Sequence, residues 1–114
     1  MIEMKKLQMA LSLLLLVVSF GISSFSYANE SNPKGAFRKG KRYYKRSDFI
    51  MAAPYLKAAY NLDPENAKYA YMLGRSIYEG DQPSQSLSYF VAAFNLDQGI
   101  AEDINYYLAR AMHM

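Results

Sequence analysis

Side chains able to break or make covalent bonds are scarce in this 114-residue chain. There is no cysteine, and the penultimate residue, His113, is the only histidine. A thiol nucleophile and a His/Cys metal cage are therefore both excluded on composition. Asp97, Glu102 and Asp103 lie close enough in sequence to meet across a loop. Carboxylates near a helix start are usually caps that accept backbone N–H groups, and that role is expected of them here. No catalytic residue, metal or cofactor is expected. The chemistry on offer is that of binding. "KGAFRKGKRYYKR" places seven cations (Lys34, Arg38, Lys39, Lys41, Arg42, Lys45, Arg46) among aromatic rings with no acid between them. From Ser47 onward there are four basic and eight acidic residues, a net of −4. Cations interleaved with rings can hold phosphates and stack on bases. They can also meet an anionic membrane, although this segment lacks the broad aliphatic face of an interfacial helix.

The compartment argues against nucleic acid. Lys5 and Lys6 precede an apolar run from Leu7 to Ile22, and Ser26 and Ala28 then stand at the −3 and −1 positions of a small-x-small site. That order predicts a secretory signal peptide over residues 1–28, with membrane contact confined to export. The alternative is an uncleaved anchor, for which the apolar run is short of the roughly 20 residues a spanning helix wants. A mature chain from Asn29 to Met114 is expected to be soluble, and periplasmic or secreted. Without disulfides, a domain this small needs efficient packing or a partner.

The elements that carry the binding residues follow from a repeat. "AAYNLDP" at Ala58–Pro64 returns as "AAFNLDQ" at Ala92–Gln98, 34 positions later. In the same register Lys34 meets Lys68, Ala36 meets Ala70, Gly40 meets Gly74, Tyr44 meets Tyr78 and Tyr55 meets Tyr89. Each unit reads as two helices. Ala70, Leu73, Gly74 and Ile77 recur at helical spacing, and so do Leu87, Phe90, Val91 and Phe94. Between them, "EGDQP" suggests Gly80 as a left-handed cap and Pro83 in a first helical turn. In the first unit Ser47 or Asp48 is the expected N-cap. Pro54 predicts a bend or a late helix start. No alternating strand pattern follows Ala28.

A 34-residue unit with glycine at position 8, small residues at 20 and 27 and proline at 32 resembles the tetratricopeptide repeat. Counted from Pro33, these are Gly40, Ala52, Ala59 and Pro64; counted from Ala67, they are Gly74, Ser86, Ala93 and Gln98. Position 24 holds Leu56 and Phe90. The departures are alanine at position 4, Lys39 at position 7, Ser86 at 20 and Gln98 at 32. "YMLGRSIY" returns as "YYLARAMH" at an offset of 35, which places one extra residue near Gly99. The resemblance implies an all-α fold, a short α-solenoid of antiparallel helix pairs. Its expected parts are a disordered segment 29–33, repeats at 33–66 and 67–100, and one unpaired capping helix over 101–114.

The same resemblance implies a groove. In tetratricopeptide solenoids, positions 5, 9 and 12 of the first helix face the concave surface. Position 5 is Phe37, Tyr71 and Tyr106; position 9 is Lys41, Arg75 and Arg110; position 12 is Tyr44, Tyr78 and His113. Lys34, Lys45 and Lys68 flank them. Stacked rungs of aromatic, cation and aromatic suit an extended acidic protein segment. The expected function is a non-enzymatic interaction or assembly adaptor of the cell envelope. Alternatives are an accessory of exopolysaccharide export, with rings stacking on sugars, and a relic of a longer repeat protein. With only two repeats, an imperfectly polar last helix predicts self-association through residues 101–114.

Overall fold

The computed structural model describes residues 31–80 and 82–113, and among them the chain is all-α. The expected signal peptide and its cleavage site lie outside the described residues, as do Asp81 and Met114. Five helices follow one another: α1 (Pro33–Lys45), α2 (Phe49–Leu62), α3 (Ala67–Gly80), α4 (Leu87–Leu96) and α5 (Ile104–Met112). No helix among the described residues is long and apolar enough to cross a membrane.

Local signals account for the ends of α1 and α2. Asn32 accepts from the Lys34 backbone N–H, and Pro33 fills the first helical position, where its missing N–H costs nothing. Within the segment 29–33, Pro33 is the helical residue, which is also where the first repeat is expected to begin, and residues 29 and 30 lie outside the described residues. At its far end α1 closes with the backbone N–H of Ser47 donating to Tyr44 O and that of Asp48 to Tyr43 O. This Schellman arrangement puts Ser47 in the left-handed region at φ 59°. Ser47 is therefore the turn and Asp48 the cap, its carboxylate accepting from the Met51 N–H at 3.3 Å.

Two punctuation marks act differently from expectation. Helix α2 begins at Phe49 and runs through Pro54, so a late start is ruled out; the missing N–H withdraws one helical bond from the Ile50 carbonyl. No described glycine has a positive φ, so Gly80 is not a left-handed cap. It is the last residue of α3, beside Phe49 and Ile50, at a distance where a Cβ would make ordinary contact. Pro83 opens a 3₁₀ turn, Pro83–Gln85, and α4 starts only at Leu87.

Each helix packs chiefly against the one before it and the one after it. The contacts run antiparallel: Tyr43 stacks on Tyr55 and Tyr44 meets Phe49 edge-on, while Gly40 lies under Leu56. A Cβ on Gly40 would fall 2.7 Å from Leu56 Cγ, and one on Gly74 would fall 3.0 Å from Phe90 Cδ1. The same contact is made twice, 34 residues apart, by the two glycines and the two large residues that the repeat register pairs. Leu56, Leu73 and Phe90 are wholly buried and anchor the apolar interior with Ala52, Ala70 and Ala93. Ser86 is also wholly buried, and its hydroxyl donates to the Pro83 carbonyl.

Candidate functional site

The expected groove residues sit on α1, α3 and α5, and each rung is linked to the next. At the first step Lys41 and Lys68 both stand over the Phe37 ring, at 5.8 and 5.5 Å from its centroid. Phe37 is half-buried against Tyr69, 4.7 Å between centroids. Lys68 and Lys45 are exposed. Helical period and the short α2 crossover bring α1 and α3 side by side, so one helix's cation reaches the other's ring.

At the second step the structure departs from the expectation of a free cation. Arg75 Nη1 lies 3.3 Å from Asp103 Oδ2 and donates to the Tyr71 hydroxyl at 3.1 Å. The Tyr71 hydroxyl in turn donates to the other Asp103 oxygen. Arg75 Nη2 is 3.7 Å from Glu79, and the guanidinium lies flat enough to hold its centre 4.3 Å from the Tyr107 ring. The Tyr107 hydroxyl donates to Glu79 at 3.2 Å. Only 20 % of the Arg75 side chain is exposed. Two carboxylates of the same chain therefore neutralise the middle rung, and Arg75 is a fastener between α3 and the entrance to α5.

Asp103 reaches this position because α5 starts late. The 35-residue offset would begin the helix at 102, yet its first residue is Ile104, and Asp103 makes no side-chain cap bond. The capping role expected of this carboxylate is thus overturned. Asp97 accepts from the Gly99 N–H at 3.0 Å, closing the turn that holds the extra residue.

The third step joins α3 to α5 directly. Arg110 Nε donates to the Tyr78 hydroxyl at 2.8 Å, and its guanidinium stands 5.5 Å over the Tyr106 ring. Tyr106 is 55 % exposed, and Arg110 is exposed beside it. Tyr71 and Tyr78 are half-buried and tilt against Phe90, so one side of each ring is packing. His113, the last partner of the ladder, is exposed just beyond α5.

Two network members were not expected from the sequence. Tyr107 is buried, stacked 5.4 Å from Phe90 and edge-on to Tyr78 at 5.2 Å. Its signal was present: the 35-residue offset pairs it with Met72, which is buried in the preceding unit. Glu79 was legible as the i+4 partner of Arg75.

Burial sets the electrostatics. Desolvation raises the Tyr71 phenol well above its usual value, and the bond to Asp103 adds to the rise. Tyr107 is pushed up to about 12, first by burial, with the nearby Arg75 charge opposing and the Glu79 contact reinforcing. Tyr44 is also raised by burial, with the Arg75 charge acting the other way. These phenols are neutral hydrogen-bonding groups across the physiological range. Among the described residues no cluster of three or more His, Cys, Asp or Glu is placed to hold a metal ion. No protein-family model matches the chain, and comparison with curated proteins finds no relative.

Proposed function

We propose that this chain is a tetratricopeptide-type interaction module of the cell envelope, exported by its N-terminal segment, which holds an extended acidic protein segment along the face formed by α1, α3 and α5. The observation that carries this reading is the pair of lysines over one ring: Lys41 and Lys68, from different helices, converge on Phe37. A carboxylate there meets two ammonium groups, and the partly open aromatic gives an apolar side chain a place to rest.

The neutralised Arg75 redistributes the groove. Ligand cations are left at its two ends, Lys41, Lys45 and Lys68 at one and Arg110 beside Tyr106 at the other. Tyr44, Tyr71 and Tyr78 form the aromatic floor between them. An extended segment with acidic residues at both ends and uncharged residues in the middle suits that order. The antiparallel succession of helices and the doubled Gly40–Leu56 and Gly74–Phe90 contacts support a short solenoid as its scaffold. Exposed Tyr106 and Met112 on α5, with Val91 and Leu96 on α4, support association of two copies through the C-terminal end. The decisive test is binding of a defined acidic peptide to the wild type and to a Lys41→Glu/Lys68→Glu variant.

A further inference from the structure

A second surface lies around α1 from the groove. Successive residues turn by about 100°, so Lys34, Arg38, Lys41, Arg42, Lys45 and Arg46 sweep one continuous solvent-facing arc, while Ala36 and Gly40 occupy the buried side. No ion pair joins any of these six to a carboxylate among the described residues, in contrast with Arg75. The first turn of α1 contains no acid. Lys34/Arg38, Arg38/Arg42, Lys41/Lys45 and Arg42/Arg46 are like charges at i,i+4, a spacing that works against an isolated helix. The exposed arc is also built around a recess of about 280 Å³ lined by Asn32, Gly35, Arg38, Lys39 and Arg42. Gly35 adds no side chain to its wall, and Arg38 and Arg42 carry planar donor forks that match phosphate oxygens.

We propose that this arc is a docking surface for an anionic phospholipid bilayer, with a headgroup phosphate seated between Arg38 and Arg42. The arc is long, cationic and free of large aliphatic side chains, so it suits contact with charged headgroups and not insertion among acyl chains. Its position in the chain agrees. Nine residues separate Ile22, the end of the apolar run, from Asn32, and so few can span at most about 30 Å. Whenever that run is held in a membrane, α1 lies within reach of the headgroups. The phosphate seat is separate from the acidic-segment groove, because Arg38 and Arg42 take no part in the contacts around Phe37, whereas Lys41 and Lys45 border both.

Amine acetylation of the full chain, read by mass spectrometry, tests the surface whether or not the apolar run is retained. The chain is mixed with vesicles of phosphatidylcholine alone or with about 30 % phosphatidylglycerol, at low salt and at about 0.5 M salt. Lys34 and Lys45 should be modified at least about threefold more slowly on the anionic vesicles at low salt, with Lys57 on α2 as the unaffected internal reference. High salt and Arg38→Glu/Arg42→Glu should each abolish the difference, while an unchanged circular dichroism melt shows the variant folded. Equal rates on both vesicle types, or protection retained in the folded variant, would overturn the proposal. So would equal protection by inorganic phosphate without anionic lipid, or stronger protection by a short DNA duplex.

Discussion

Arg75 and Asp103 face each other at 3.3 Å, one on the groove side of α3 and the other in the turn entering α5. This pair, with Tyr71 bonded to both partners, fastens the C-terminal helix to the unit before it. Arg75→Glu would place three carboxylates together and leave Tyr71 and Tyr107 without their cation. A loss of about 1–3 kcal/mol in unfolding free energy is expected, because a partly buried charge is then left facing like charges. Urea denaturation checks it. A variant as stable as wild type would mean the pair is a surface contact worth nothing measurable.

Close packing of glycine under a large residue should be equally sensitive. Gly74→Leu would drive a side chain into the Phe90 ring, and Gly40→Leu into Leu56. Each is expected to cost about 1–3 kcal/mol or more by overpacking. Lys68→Ala, on an exposed side chain, should stay within about 0.5 kcal/mol of wild type. Similar melting temperatures for all three variants would mean the helix pairs do not meet at these glycines.

Alkaline pH should loosen the α3–α5 seam. Tyr107 and Tyr71 titrate above the unfolded value of 10.0, so the folded state keeps protons that the unfolded state gives up. The Tyr107 contribution is complete below pH 10 and is lost as pH rises toward about 12, and that of Tyr71 persists to higher pH. The Tm should therefore fall over that window. Tyr107→Phe should flatten the fall while losing about 1 kcal/mol at neutral pH with the Glu79 bond. An identical pH profile in the variant would assign the alkaline transition to other groups.

The proposed self-association runs through the outer side of α5. Ile104, Tyr107 and Ala111 turn inward and Leu108 is half-buried against them, but Met112 is 68 % exposed. Light scattering across a dilution series should show mass falling toward the monomer, and Met112→Lys should be monomeric throughout with an unchanged Tm. A wild type that is monomeric at every concentration would show that α5 is a sufficient cap.

Much of the fold could be read from one period. The 34-residue register outlines α1 to α4 and pairs Gly40 with Leu56 as it pairs Gly74 with Phe90, because close packing constrains residue size at fixed positions. Helix α5 needs an offset of 35 and starts two residues later still. The convergence of Lys41 and Lys68 on Phe37 is not legible in that register, which aligns Lys68 with Lys34. What stayed hidden depended on tertiary contacts. Asp103 stands at the N-cap position of α5, yet its side chain bonds Arg75 and Tyr71 on α3 and makes no cap bond. Gly80 likewise suggests a left-handed turn by type alone, whereas it ends α3 with no positive φ, beside Phe49 of another helix. Neither fact has a local signature.

The groove itself is tested most directly by fluorescence anisotropy of an extended, glutamate-rich peptide of about ten residues titrated with the full chain. Saturable binding that weakens with added salt is expected, and Lys41→Glu/Lys68→Glu should reduce affinity at least about tenfold, or 1.4 kcal/mol, with no change in Tm. Binding that ignores both salt and the double charge reversal would contradict the assignment of this face.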